Sequence, residues 1–176
     1  MPVLRCVQRF ETAVRAHQDR VFNYAFYTLG SREEAEDITQ DVLVRLWQHW
    51  PNLDQENVTG WVIRVARNSC LDRLRQRQTR STLLRQHWES QPEKAVEPED
   101  DCGEENTILR GQIESALREL DEPYRSIVIL REIDEMSYEQ IAASLAMPLN
   151  TVKVYLHRAR RILRERLKGA RAHARD

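Results

Sequence analysis

Between Met136 and Leu167 the chain reads MSYEQIAASLAMPLNTVKVYLHRARRILRERL, two short apolar-periodic segments parted by a break that contains Pro148. Ser137 followed three residues later by Gln140 is a capping-box pattern, which predicts a helix beginning near Tyr138. Ile141, Ala142 and Leu145 supply its apolar side. Pro148 disfavours helix for the residue before it, so Ala146 to Leu149 ends the segment, and Asn150 or Thr151 is expected to cap the next. In that second segment Val152, Leu156, Ala159, Leu163 and Leu167 recur at spacings of four, three, four and four. Such a stripe fits 3.6 residues per turn and cannot be a strand of period two.

The side opposite this stripe carries Lys153, Val154, His157, Arg160, Arg161 and Arg164, with Arg158 at its flank. A basic face on the second of two short helices has the chemistry to lie in a DNA major groove, early side chains at base edges and arginines on phosphates. The plainer reading is a solvated helix of a bundle. The cap, the short first helix and the turn favour DNA.

Net charge hides this. The formal total is −1, yet Trp61–His87 holds seven Arg against one Asp (+6), Trp88–Asn106 holds eight acids against one Lys (−7), and Ser137 onward holds nine basic residues against three acidic ones (+6). Two basic blocks divided by acid suggest two polyanion contacts. Cys6, Cys70 and Cys102 form no C-x-x-C pair and the five His residues are scattered, so no disulfide framework, zinc site or other metal or cofactor is expected. No apolar run has membrane-spanning length and no signal peptide is recognisable, so the expected location is cytoplasmic. Without a phosphate-cradling Gly loop or a nucleophile–base pair, no enzyme is expected.

Upstream, the period is helical throughout. Arg5–Leu29 is expected to be a helix with Phe10, Val14, Val21, Phe22 and Ala25 inward, closed by Gly30. Ser31 and Glu34 form a second capping-box pattern, opening a helix that buries Ala35, Ile38, Val42 and Leu46 and shows Asp37, Gln40, Asp41 and Arg45, ending in Trp47 and Trp50 before Pro51. Charged residues beside aromatics suit a protein-docking surface as well as they suit solvent. A third helix, about Gly60–Gln78, buries Val62, Ile63, Ala66, Cys70 and Leu74. Its other side gathers Trp61, Arg64, Asn68, Asp72 and Arg75 within about 80°. Indole, amide and guanidinium groups together suit unpaired bases and their phosphates, though Trp61 could equally tuck against a neighbouring helix.

The acidic, Pro-containing passage after this helix reads as a flexible linker. Thr107 then caps a helix with Leu109, Ile113, Ala116, Leu117 and Leu120 on one stripe, and Asp121-Glu122-Pro123 opens another carrying Ile127, Val128, Leu130 and Ile133. The expected fold is all-α, with two small domains: 1–87, a linker at 88–106, a helix–turn–helix domain at 107–168, and a basic tail at 169–176.

These residues resemble the group IV, extracytoplasmic-function (ECF), sigma factors of bacterial RNA polymerase. EEAEDITQDVLVRLWQHW (Glu33–Trp50) is similar to the family's core-binding helix, GWVIRVARNSCLDRLRQRQ (Gly60–Gln78) to the helix that captures the melted promoter, and SYEQIAASLAMPLNTVKVYLHRARRIL (Ser137–Leu163) to its promoter-reading helix–turn–helix. The resemblance implies polymerase contacts by Asp37, Gln40, Asp41, Leu43 and Trp47. It implies melted-promoter contacts by Trp61, Arg64, Asn68, Asp72 and Arg75, and duplex contacts by Thr151, Lys153, Val154, His157, Arg158, Arg160 and Arg161. Val154 departs from the small polar residue or Arg common at its position.

The implied partners are core RNA polymerase, promoter DNA as duplex and melted strand, and an anti-sigma factor, expected at the membrane, into which this chain does not itself insert. The competing reading is a response-regulator-type duplex-DNA-binding regulator that works without polymerase. Such a protein needs neither the Asp37–Asp41 face nor the Trp61–Asn68 face.

Overall fold

The computed structural model describes residues 2–54, 56–87 and 104–173, and side-chain environments within 6–54, 56–82 and 108–168. Among the described residues seven α-helices are formed: α1 (Pro2–Leu29), α2 (Arg32–His49), α3 (Val58–His87), α4 (Glu104–Arg118), α5 (Tyr124–Val128), α6 (Tyr138–Leu145) and α7 (Leu149–His173). A 3₁₀ turn (Trp50–Asn52) follows α2 and a π-helical turn (Ile129–Ile133) continues α5. No strand occurs among the described residues. The acidic segment 88–103 and residues 174–176 lie outside them.

Helices α1 to α3 pack on one another, as do α4 to α7. The inward stripes are the expected ones: Ala35, Ile38, Val42 and Leu46 on α2, Val62, Ile63, Ala66 and Cys70 on α3, and Val152, Leu156 and Ala159 on α7 are buried. Leu163 and Leu167 are half-buried. Gly30 ends α1 with φ +69°, a left-handed position that glycine adopts without penalty, and its N–H donates to Phe26 O at 2.8 Å. The Ser137–Gln140 capping box is complete.

Several boundaries differ from expectation. Glu104 rather than Thr107 begins α4, α3 runs from Val58 to His87, and α7 starts at Leu149, ahead of Asn150 and Thr151. That earlier start follows from Pro148, whose carbonyl accepts from the N–H groups of Thr151 (2.9 Å) and Val152 (3.1 Å), so Pro148 opens the helix. Ala146, at φ 52°, closes α6 by a left-handed turn. Ile113 is 37 % exposed, and Trp50 is buried in the core cluster rather than surface-facing, its ring edge-on to Phe10 at 5.5 Å.

Ser31 caps α2 through Glu34 N–H, but the Glu34 carboxylate does not return the bond. It is taken by Arg77, with Arg73 3.9 Å away, and Arg77 also donates to Leu29 O at 3.0 Å. One guanidinium of α3 thus ties down the end of α1 and the start of α2.

The two halves, expected as separate units, share one connected buried cluster. Helix α1 packs on α4, α5 and the π turn, and α3 packs on α6. Asp134, just past the π turn, faces Arg20 and Asn23 of α1 across this junction. Burial pushes its carboxyl up to about 7 from 3.8, opposed by Arg20 and a hydrogen bond from Asn23. The folded chain therefore holds a proton that the unfolded chain releases, and this group's contribution to stability falls as pH rises between about 4 and 7, staying low above that. Asp134→Asn is expected to raise the thermal midpoint at pH 8 and leave it nearly unchanged at pH 4. A lower midpoint at pH 8 would contradict the assignment.

Cys70, wholly buried, has its thiol pushed up to about 12, first by burial and then by Glu122 and Glu34, with Arg73 opposing. Thiolate is the reactive form. Iodoacetamide at pH 8 should therefore modify exposed Cys6 and spare Cys70 until denaturant is added. Peptide mass mapping checks this, and equal modification of the two in the native protein would refute it.

Candidate polymerase and nucleic-acid interfaces

Three exposed faces of different chemistry lie on α2, α3 and α7. On α2, burial of the Ala35–Leu46 stripe turns Asp37, Gln40 and Asp41 to solvent. Leu43 is half-buried against the core, while Trp47 is 51 % exposed. Phe10 of α1 holds the Trp47 ring edge-on at 4.8 Å, so a large apolar surface is presented in a fixed orientation beside the acids. Val44, 55 % exposed and three residues from Trp47, belongs to the same patch. Sequence reasoning passed over it, although its i, i+3 relation to Trp47 placed it there.

On α3 the five candidate residues do not act alike. Arg64 and Asn68 are exposed, and no ion pair engages Arg64 among the described residues. Trp61 is half-buried, packed on the core and 5.4 Å from the His49 ring, so both readings of it hold in part. Asp72 and Arg75 pair with each other at 3.0 Å and cancel in charge. Arg64 and Asn68, beside the half-buried Trp61, are the exposed candidates of this face outside that ion pair.

On α7, Lys153, Val154, His157, Arg158 and Arg161 are exposed and Thr151 is half-buried. The Lys153 ammonium lies 5.9 Å from the Tyr138 ring, whose centroid is 4.8 Å from the Arg131 guanidinium. Arg131 is fixed in turn by donating to Met136 O at 2.7 Å. The Glu139 carboxyl, at the start of α6, is held below its usual range by its own backbone N–H and the Ser137 hydroxyl, with smaller help from Lys153 and Arg131. Arg160, expected to be free for phosphate, instead grips Glu132 of the π turn through Nη2 (2.6 Å) and Nε (3.0 Å). Its spacing on the basic side was legible, whereas its partner comes from a segment whose π geometry no helical wheel anticipates.

The chain matches the model of sigma-70 region 2 over residues 13–80 and that of sigma-70 region 4 over residues 110–163. Among curated relatives it is similar to the ECF RNA polymerase sigma factor SigE of Mycolicibacterium smegmatis, 32 % identical over 90 % of this chain; it spans only 61 % of that relative's length. It is 32 % identical to the RNA polymerase sigma-E factor of Streptomyces coelicolor, covering 92 % of this chain and 87 % of the relative. With SigW of Bacillus subtilis it shares 28 % identity over 90 % and 89 % of the two chains.

Solved structures that share the fold include two sigma factors in complex with partner proteins. They are the sigma factor RpoE of Bartonella quintana in complex with the anti-sigma factor NepR (TM-score 0.71, 24 % identity, 90 % and 96 % covered) and CnrH in complex with the cytosolic domain of CnrY (TM-score 0.67, 20 % identity, 93 % and 95 % covered). Region 2 falls on α1–α3 and region 4 on α4–α7, as the resemblance of the three motifs implies, and the chain belongs to the ECF family of RNA polymerase sigma factors.

Proposed function

We propose that this chain is a dissociable specificity subunit, not an enzyme, that binds core RNA polymerase through α2, holds melted promoter strand on α3, and reads an upstream duplex element with α7. The observation that carries this reading is the coexistence of an acidic–aromatic docking face (Asp37, Gln40, Asp41, Leu43, Trp47) with two separate nucleic-acid faces in one chain. A duplex-binding regulator working alone has no use for the first. The functional divisions are 1–87 for polymerase and melted strand, 88–106 as connector, 107–168 for duplex and 169–176 as a basic tail. No described helix is long and apolar enough to cross a membrane. The proposed setting is the bacterial cytoplasm, with control by an anti-sigma factor that covers the polymerase- and DNA-facing surfaces from a membrane anchor.

On the strand face Arg64 and Asn68 carry the contact beside Trp61, with the Asp72–Arg75 pair at its margin. On the duplex face Lys153 and His157 sit at base edges, Val154 makes apolar contact, and Thr151, Arg158, Arg160 and Arg161 address the backbone, Arg160 after leaving Glu132.

Run-off transcription with purified core polymerase tests the reading directly. Asp41→Arg should abolish transcript and core pull-down while leaving the circular dichroism spectrum unchanged, since an exposed carboxylate is replaced by a repelling cation. A variant that still captures core polymerase would show that the docking surface lies elsewhere.

The two DNA faces should separate by substitution. Lys153→Ala or His157→Ala is expected to cost about 1–3 kcal/mol and relax preference at one or two upstream base pairs. Arg161→Ala and Arg164→Ala should weaken all sequences alike. Asn68→Ala should impair the melted element only, measured on templates with and without a pre-opened bubble. Altered upstream preference in Asn68→Ala would reverse the two assignments.

A further inference from the structure

The basic side chains of α7 are held in two different ways. Arg160 is gripped by a carboxylate, Glu132, which cancels its charge. No ion pair engages Lys153 among the described residues, and its ammonium lies instead 5.9 Å from the centre of the Tyr138 ring. An aromatic face attracts a cation through its quadrupole at distances up to about 6 Å and returns no formal negative charge. A lysine held in this way stays in place and keeps its charge for a further partner.

The ring is itself held in three ways. Tyr138 is the first residue of α6, and its backbone is set by the capping box, in which Ser137 N–H donates to Gln140 Oε1 (2.9 Å) and Gln140 N–H to Ser137 Oγ (3.2 Å). The half-buried side chain packs on the core cluster. The Arg131 guanidinium lies 4.8 Å from the ring centre and is anchored by donating to Met136 O at 2.7 Å. Two cations thus share one ring. Arg131 is half-buried and tied down, so Lys153, exposed on α7, is the one that can reach outward. Glu139, next along α6, is the carboxylate that could capture Lys153 instead. Its charge is engaged first by its own backbone N–H and the Ser137 hydroxyl, and Lys153 is a smaller influence on it.

An unrestrained lysine samples many rotamers and loses them on meeting a base, whereas one already held near its working position loses fewer. We propose that Tyr138, clamped by Arg131, is a positioning residue that holds the Lys153 ammonium at the start of α7 and so sharpens its choice of base. Tyr138 acts through Lys153 and itself contacts no base. This role rests on the reading of α7 as the duplex-reading helix; the ring contact does not.

Two measurements on the full chain test it. The chain has three lysines, Lys94, Lys153 and Lys168, so with an isotope label in the lysine ε-methylenes the Lys153 resonance is identified by its loss in Lys153→Ala. Ring current should move that resonance upfield in the free protein; Tyr138→Phe should keep the shift and Tyr138→Leu abolish it. The second measurement is run-off transcription with core polymerase on templates bearing single-base changes in the upstream element. Tyr138→Leu should lower discrimination at the same base pairs as Lys153→Ala, by about two- to fivefold, the scale of one exposed cation–π contact, and should add little in the Lys153→Ala background. Tyr138→Phe should keep the discrimination. Pentafluorophenylalanine at position 138, close to Phe in shape but without the negative face, should behave like Leu, with helical circular dichroism unchanged. An unshifted Lys153 resonance, a loss in Tyr138→Phe equal to that in Tyr138→Leu, or full discrimination with the fluorinated ring would each overturn the proposal. So would a Tyr138→Leu effect uniform over all templates, the mark of a weakened fold or a lost phosphate contact. If Lys153→Ala leaves base preference unchanged while the upfield shift is present, the ring contact stands, and the assignment of Lys153 to base edges falls together with the role of Tyr138.

Discussion

Helix α1 has to satisfy two sets of neighbours at once, and the arrangement of the other helices follows from that. Val21, Ala25 and Leu29 are buried in the shared cluster, and Tyr24 and Thr28 are buried with them. The helix packs on α2 and α3 along one side and on α4, α5 and the π turn along another. A helix apolar on one stripe would serve only one of these walls. Here the second wall shares the apolar cluster and adds polar contacts to it, with Tyr24 reaching Ser126, and Arg20 with Asn23 opposite Asp134. The halves therefore meet with a defined register at a junction that carries unpaired buried oxygens.

Much of this architecture was legible because helical period is a local property. Stripes on α2, α3 and α7, the Gly30 stop and the Ser137 cap follow from residues within a few turns of one another. What stayed hidden depends on partners distant in sequence. Tyr24 looks like one more aromatic until Ser126, 102 positions away, is brought beside it. Glu34 matches a capping pattern, yet a bidentate-capable Arg77 43 positions away is the stronger partner, and the cap is left half-made. Trp50 and Trp47 are equivalent in composition and Phe10 of α1 packs edge-on to both, yet one ring joins the buried cluster and the other stays out.

The candidate faces show the same division. Their outward direction follows from the inward stripes, so Asp37, Asp41, Asn68, Lys153 and His157 are exposed where the period put them. Their availability does not follow. Arg125 illustrates the difference from the structural side: an arginine in an otherwise apolar stretch spends its guanidinium on the carbonyls of Arg118 and Leu120, closing the end of α4 rather than facing a ligand.

The Arg160–Glu132 pair has a consequence for how binding of this protein to a polyanion depends on ionic strength. A free arginine that meets a phosphate displaces condensed cations from the DNA and adds about 0.9 to the slope of log affinity against log salt. An arginine already neutralised by its own carboxylate must first surrender that partner, and the stranded carboxylate then attracts cations of its own. The net release from such an exchange is close to nil. The α7 face therefore carries fewer effective charges than its arginines suggest, and a valence obtained by counting basic residues would overstate the thermodynamic one.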